Sequence, residues 1–139
     1  MDRDLIAAKL EQLRYCVERL RSKCPRDPEL LERDPDLQDI VAMNLARAVQ
    51  VAVDIALHLL ADRSEVPGTM GEAFEALARE GVLDGDLASR MRRAVGFRNI
   101  AVHAYERIDW GIVARICAGH LGDFEEYARA VWRHVQAGE

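Results

Sequence analysis

Residues 34–61 are the part of this sequence that most restricts the possible folds. Asp34-Pro35 is typical of a helix start, because aspartate caps the first free amides and proline fits the first turn. The residues that follow are apolar over most of a helical circumference, which predicts a long and buried central helix. Its polar residues recur at spacings of three and four and fall on one face: Asn44, Arg47, Gln50, Asp54 and His58. Such a stripe needs either partners inside the protein or a face open to water.

The segments before and after this helix also follow helical periodicity. Apolar residues at spacings of three and four predict a first helix over residues 2–22, followed by a short turn over residues 29–33. Thr69 and Glu72 form a capping-box pattern that opens a short helix, and Gly81 is its expected stop.

Two further helices are predicted in the second half of the chain. Asp86 is expected to cap a helix that carries Arg98, and Asp109 a last helix over residues 110–136. The apolar stripe of that last helix includes His120, which we expect to be packed. Alternating strand patterns and internal repeats are absent from the sequence. We therefore predict an all-α, up-and-down bundle of four main helices and one short helix, in a single domain spanning residues 1–139.

Composition limits the class of protein. A length of 139 residues with 50 % hydrophobic residues fits one domain with a sizeable core. The odd number of cysteines, widely spaced, argues against a disulfide framework and suggests a reducing, cytoplasmic setting: Cys16, Cys24 and Cys117. We expect no signal peptide, and no membrane span because Gln50, Asp54 and His58 interrupt the apolar run. The histidines lack metal-ligand spacing, so neither a metal nor a cofactor is predicted.

Charge is distributed unevenly along the chain. The net charge of −5 is the wrong sign for binding nucleic acid over a broad face. Residues 90–107 nevertheless carry five arginines against one glutamate, a local sum of +4 that leaves −9 for the rest: Arg90, Arg92, Arg93, Arg98, Arg107 and Glu106. This cluster is either a solvated helix face or a site for a localised anionic ligand.

The same stretch places three chemically useful side chains in the spacing Arg-x4-His-x-Tyr. Arg98 offers a fork of donors that suits phosphate oxygens, and His103 can exchange protons near neutrality. Tyr105 adds a phenol, and Asn99 a further polar group. On an unbroken helix, His103 would lie about 140° around from Arg98. Either the helix ends before His103, or a second subunit completes the site.

This motif resembles the HEPN superfamily, and in particular its HepT-like toxin branch. The resemblance rests on Arg98-Asn99-x3-His103-x-Tyr105, on the lead-in Val95-Gly96-Phe97, and on an upstream block over residues 50–59. It implies a HEPN-like fold and a homodimer whose two motifs face each other across a cleft.

The resemblance also implies an activity. It suggests a metal-independent endoribonuclease toxin in which His103 deprotonates a ribose 2′-hydroxyl and Arg98 stabilises charge on the phosphate. Asn99 would orient the phosphate or the histidine. The implied partners are an RNA substrate and a minimal nucleotidyltransferase antitoxin, which would transfer AMP to Tyr105. Asp54, on the polar stripe, is a candidate supporting residue that could pair with Arg98 or with His103.

Two other hypotheses compete with a nuclease. The chain could be a catalytically silent helical module that binds a nucleotidyltransferase or a nucleotide, which the acidic net charge favours. Alternatively, the motif residues could form a buried polar network in a purely structural bundle. Replacing Arg98 would then reduce stability rather than activity.

Overall fold

The computed structural model describes residues 2–63 and 67–138, and all regular structure in these ranges is helical. Seven α-helices follow in order: α1 (Arg3–Lys23), α2 (Pro28–Arg33), α3 (Pro35–Leu60), α4 (Met70–Arg79), α5 (Gly85–His103), α6 (Trp110–Gly119) and α7 (Leu121–Ala137). A 3₁₀ turn, Tyr105–Arg107, joins α5 to α6. The predicted all-α fold is confirmed.

Helix α3 is the centre of the bundle, as its apolar circumference predicts. The Asp34 carboxylate caps it by accepting the amides of Asp36 and Leu37 at 3.0 and 3.2 Å. Helices α1, α4, α5 and α7 all pack against it. Among the described helices, only α3 has the length and hydropathy to cross a membrane, and 56 % of that apolar window is buried inside the bundle. Its apolar surface is thus used for core packing.

Aromatic side chains join the outer helices to this core. Tyr127 of α7 is fully buried, and its hydroxyl donates to the Ala52 carbonyl of α3 at 2.7 Å. The Phe74 ring of α4 meets the Tyr127 ring edge-on, with centroids 5.6 Å apart. One tyrosine therefore connects three helices, and its buried hydroxyl is satisfied.

Several predicted helix ends are confirmed. The Thr69 hydroxyl accepts the Glu72 amide at 3.3 Å and caps α4. The Glu72 carboxylate accepts the amide of Gly68, one residue before the position that a capping box would give it. Gly81 follows α4 with a φ of +80°, the left-handed conformation that glycine adopts without steric cost.

Helix α5 starts near Asp86 as predicted, but the predicted cap residue was wrong. Asp84, not Asp86, caps this helix, because its carboxylate accepts the Leu87 amide at 2.7 Å. Asp86 lies inside the first turn, where it pairs with Arg90 at 3.0 Å. Its negative charge still suits that turn, since the helix dipole leaves the N-terminus partly positive.

The predicted single last helix is broken in two. Asp109 caps α6 as expected, but the backbone leaves helical geometry at His120, with φ −124° and ψ 2°. Gly119 and Gly122 flank the break, and glycine is a poor helix former. The break lets α6 pack on α2 while α7 packs on α1. His120 is exposed and pairs with Asp123 at 3.2 Å, so the expectation of a packed histidine was also wrong.

The expectation that the chain has no disulfide is contradicted as well. Cys24 and Cys117 form a disulfide, with Cα atoms 5.9 Å apart. Cys24 directly follows α1, and Cys117 lies on α6, which the turn after α5 brings back beside the end of α1. The two residues are 93 positions apart in the sequence, so spacing alone could not reveal the pair. Cys16 is the buried free thiol.

Candidate active site

Helix α5 carries both Arg98 and His103 and continues through the histidine. The helix ends at His103. The next residue, Ala104, has a φ of −149° and a ψ of 51°, which are not helical, and its amide donates to the Ile100 carbonyl at 2.8 Å. The first of the two predicted alternatives, a helix that ends before His103, is thus excluded. The two side chains leave α5 about 140° apart, separated by a rise of about 7.5 Å.

The guanidinium of Arg98 is held in place by two hydrogen bonds. It donates to the side-chain oxygen of Gln50 on α3 at 3.0 Å and to that of Asn99 at 3.2 Å. Arg98 itself is half-buried, and Asn99 is exposed. Asn99 therefore contacts Arg98 and helps to orient its guanidinium. The remaining guanidinium donors are available to an anion.

Asp54 reaches Arg98 only through Gln50. The Gln50 amide nitrogen donates to Asp54 at 2.9 Å, and Lys9 of α1 lies 3.7 Å from the same carboxylate. The sequence suggested that Asp54 could pair directly with Arg98 or His103, and the structure shows neither contact. The four side chains form a relay of alternating donors and acceptors that ends at the motif arginine.

His103 is exposed at the end of α5. Within residues 2–63 and 67–138 its imidazole makes no hydrogen bond or ion pair. An imidazole without an intramolecular partner can accept a proton from a bound ligand.

Tyr105 stands in the 3₁₀ turn and is 39 % exposed. Its hydroxyl donates to Asp39 of α3 at 2.5 Å, and its ring meets Trp110 edge-on at 6.0 Å between centroids. Partial burial, followed by the hydrogen bond and charge of Asp39, raises the pKa of the phenol to about 12. The phenol is thus neutral at physiological pH and held in one position.

Some arginines of the cluster form ion pairs with acidic side chains, and others do not do so within the described residues. Arg90 is bound by Asp86, Asp123 and Glu126, and Arg92 pairs with Glu75. Arg93, Arg98 and Arg107 have no acidic partner in the described part of the chain. The positive charge that no acidic side chain neutralises is therefore smaller than the sequence suggests.

A cavity of about 410 Å³ lies on another face of α5. Its walls include Phe97, Ile100 and Ile112, with Arg93 and Arg107 among its polar residues. None of the three motif residues lines it. The motif therefore lies outside this cavity, with His103 and Tyr105 exposed at the surface.

Sequence reasoning missed two residues that contact the motif. Gln50 was part of the polar stripe that could face the motif, but only Asp54 was named as a partner of the motif, and Asp39 was not considered. Asp39 precedes Gln50 by 11 residues, about three helical turns, so both lie within about 20° on α3. Extending the stripe toward the N-terminus by that spacing would have found Asp39.

The chain is similar to known proteins over most of its length. The profile of the family described as ribonuclease HepT-like matches residues 13–131. The mRNA nuclease HepT of Shewanella oneidensis is 31 % identical over 125 residues, which cover 89 % of this chain and 93 % of that protein.

Solved structures of similar sequence share the fold of this chain. A tri-AMPylated Shewanella oneidensis HEPN toxin in complex with MNT antitoxin superposes with a TM-score of 0.87 at 30 % identity, covering 96 % of this chain and 99 % of that one. A toxin–antitoxin structure with AMP-PNP also gives 0.87, at 29 % identity, with 94 % and 98 % covered. The fold, the motif and the family profile, which spans most of the sequence, lead to one conclusion: this chain belongs to the ribonuclease HepT-like family.

Proposed function

We propose that this protein is an endoribonuclease toxin that cleaves RNA without a metal ion and is neutralised by a minimal nucleotidyltransferase antitoxin. The observation that supports this most directly is the contrast between Arg98 and His103. The arginine is fixed by Gln50 and Asn99, while the histidine five residues later has no partner in the described part of the chain. A cation fixed in place and an imidazole without a partner are the groups that charge stabilisation and proton transfer at a phosphate require.

In the proposed reaction His103 takes the proton of a ribose 2′-hydroxyl, whose oxygen attacks the adjacent phosphorus. Arg98 stabilises the negative charge that develops on the phosphate oxygens. Asn99 supports this role by its hydrogen bond to Arg98. Gln50 and Asp54 keep the guanidinium oriented from behind. In this proposal protein side chains, rather than a metal ion, supply the base and the cation.

The directions of Arg98 and His103 favour a homodimer. Two side chains about 140° apart on one helix are poorly placed to act on one phosphate. Exposed apolar residues also lie next to the motif: Met43, on the α3 face between Asp39 and Gln50, is 60 % exposed, and Val102 is 52 % exposed. A second copy of the chain would cover them and bring its own motif opposite the first.

Tyr105 is the proposed site of AMP transfer. Its hydroxyl lies at the surface, two residues after His103. An AMP group there would add bulk and negative charge beside the motif and exclude an RNA phosphate by occupancy and repulsion. We place the toxin in the cytoplasm, where its proposed RNA substrate is abundant.

A silent binding module is the second candidate function. The pairing of Arg90 and Arg92 with acids favours it, because it lowers the positive charge available for RNA. Such a module would bind a nucleotidyltransferase or a nucleotide through the same surface and cleave nothing.

Cleavage of a mixed RNA substrate by purified, unmodified protein in the presence of a chelator separates the two functions. We expect cleavage by the wild type and a loss of about 100-fold or more in His103→Ala, because a general base is removed. His120→Ala is the matched control, since His120 is also exposed but lies between α6 and α7. Absence of cleavage by folded wild-type protein would favour the binding module.

A further inference from the structure

The hydroxyl of Tyr105 is already hydrogen-bonded to a carboxylate in the isolated chain. The Asp39 carboxylate accepts this hydrogen bond at 2.5 Å across a sequence separation of 66 residues. The Trp110 ring packs edge-on against the phenol and limits its rotation. The oxygen that would attack a phosphorus atom is therefore held beside a proton acceptor.

Asp39 is well suited to take that proton. It lies on the exposed face of α3, and within the described residues Tyr105 is its one side-chain hydrogen-bond partner. No lysine or arginine in residues 2–63 and 67–138 forms an ion pair with it. In the described part of the chain no cation therefore competes with the phenol for the carboxylate oxygens.

We propose that Asp39 is the general base for AMPylation of Tyr105, so that the toxin supplies both the nucleophile and the base for its own modification. This inference rests on the proposed regulation at Tyr105. The Tyr105 oxygen attacks the α-phosphorus of ATP held by the nucleotidyltransferase, and a bond between that oxygen and phosphorus forms. The bond from the α-phosphorus to the bridging oxygen breaks, pyrophosphate leaves with the electron pair, and the phenol proton passes to Asp39.

General chemistry supports this assignment. The phenol is almost entirely protonated near neutral pH, because burial, followed by the hydrogen bond to Asp39, raises its pKa above the ordinary value. Attack on phosphorus therefore needs a base that removes the proton as the new bond forms. Protein kinases use an aspartate to accept the proton of the substrate hydroxyl in the corresponding step.

The test measures the rate of AMP incorporation under single-turnover conditions, with ATP and the MNT antitoxin of Shewanella oneidensis as the modifying enzyme. Intact-mass spectrometry follows the mass increase, and the Shewanella toxin serves as the positive control. We expect Asp39→Asn to be modified about 100-fold more slowly than the wild type, the contribution typical of a general base. Asp39→Glu keeps a carboxylate and should recover most of the rate.

Controls separate a chemical role from a structural one. Asp36→Asn removes another exposed carboxylate of α3, one turn away from Asp39, and should leave the rate unchanged. RNA cleavage by unmodified Asp39→Asn should also be unchanged. The slow modification of Asp39→Asn should accelerate as pH rises, because phenolate then replaces the lost base.

Two results would overturn the inference, and they are distinguishable. If the wild type is modified at Tyr105 and Asp39→Asn is modified equally fast, Asp39 is not the base, while the proposed regulation stands. If the wild type stays unmodified while the Shewanella toxin is modified, the regulation and this inference fail together. If Asp39→Asn and Asp39→Glu lose the same fraction of the AMPylation rate and this loss does not depend on pH, Asp39 has only a structural role.

Discussion

Arg98 and Tyr105 are both held by side chains of α3, and neither partner is close to them in the sequence. Gln50 is 48 residues from Arg98, and Asp39 is 66 residues from Tyr105. The motif could be predicted because its residues share one short segment with characteristic spacing. Its partners could not, because they depend on how α3 is rotated against α5. That rotation is set by packing of the whole core.

Replacing Gln50 should impair catalysis without unfolding the protein. Gln50→Leu removes the acceptor of Arg98 and leaves the guanidinium oriented by Asn99 alone. We expect kcat/KM for RNA cleavage to fall about tenfold, near the lower end for a hydrogen bond to a charged group. Steady-state cleavage, with circular dichroism as a check on folding, measures the effect.

Asp54→Ala is the graded control for this prediction. Asp54 touches Gln50 but not Arg98, so its removal should cause a smaller loss than Gln50→Leu. Wild-type kcat/KM in a folded Gln50→Leu variant would show that Arg98 needs no support from α3.

The helices themselves show which local signals determine structure. The caps at Asp34, Thr69 and Asp109 could be predicted because each is a short-range interaction between a side chain and amides two or three residues ahead. Asp84 and Asp86 fit the same chemistry, and the sequence alone does not show that Asp84 is the residue that accepts the Leu87 amide. The break at His120 follows from packing of α6 and α7 on different helices, which the glycines permit but do not require.

The cap of α3 should contribute more to the stability of the protein than any other described cap, because α3 contacts most of the bundle. Asp34→Ala removes a carboxylate that accepts two amides, and we expect the free energy of unfolding to fall by about 1 kcal/mol. Urea denaturation at neutral pH measures the change.

Asp36→Ala is the matched control for the cap. It removes a first-turn acid that suits the helix dipole but accepts none of these amides, so a smaller loss of about 0.5 kcal/mol is expected. Equal losses in the two variants would show that charge, rather than capping, stabilises this end of α3.

For the molecule as a whole, the angular separation of Arg98 and His103 on α5 predicts that each reaction site combines an arginine of one subunit with a histidine of the other. Arg98→Ala and His103→Ala chains, each inactive alone, should then regain activity when coexpressed. In a twofold symmetric dimer with random pairing, half of the dimers are mixed and each has one intact site, so activity should reach about a quarter of the wild-type value.

Differently tagged chains allow the mixed dimers to be isolated and assayed separately. Activity in the mixed dimer no higher than in either parent would show that each subunit acts with its own arginine and histidine. It would leave the proposed chemistry intact and remove the need for a partner motif.

The bond between Cys24 and Cys117 gives the chain a particular connectivity. It closes residues 24–117 into a covalent ring that contains the whole motif, and leaves α1 and α7 as two linear arms that pack on each other across the core. In a reducing compartment the same chain is an open string, held in this shape by packing alone. One amino-acid sequence thus gives two molecules of different covalent topology, and the redox state of the surroundings decides which of them forms.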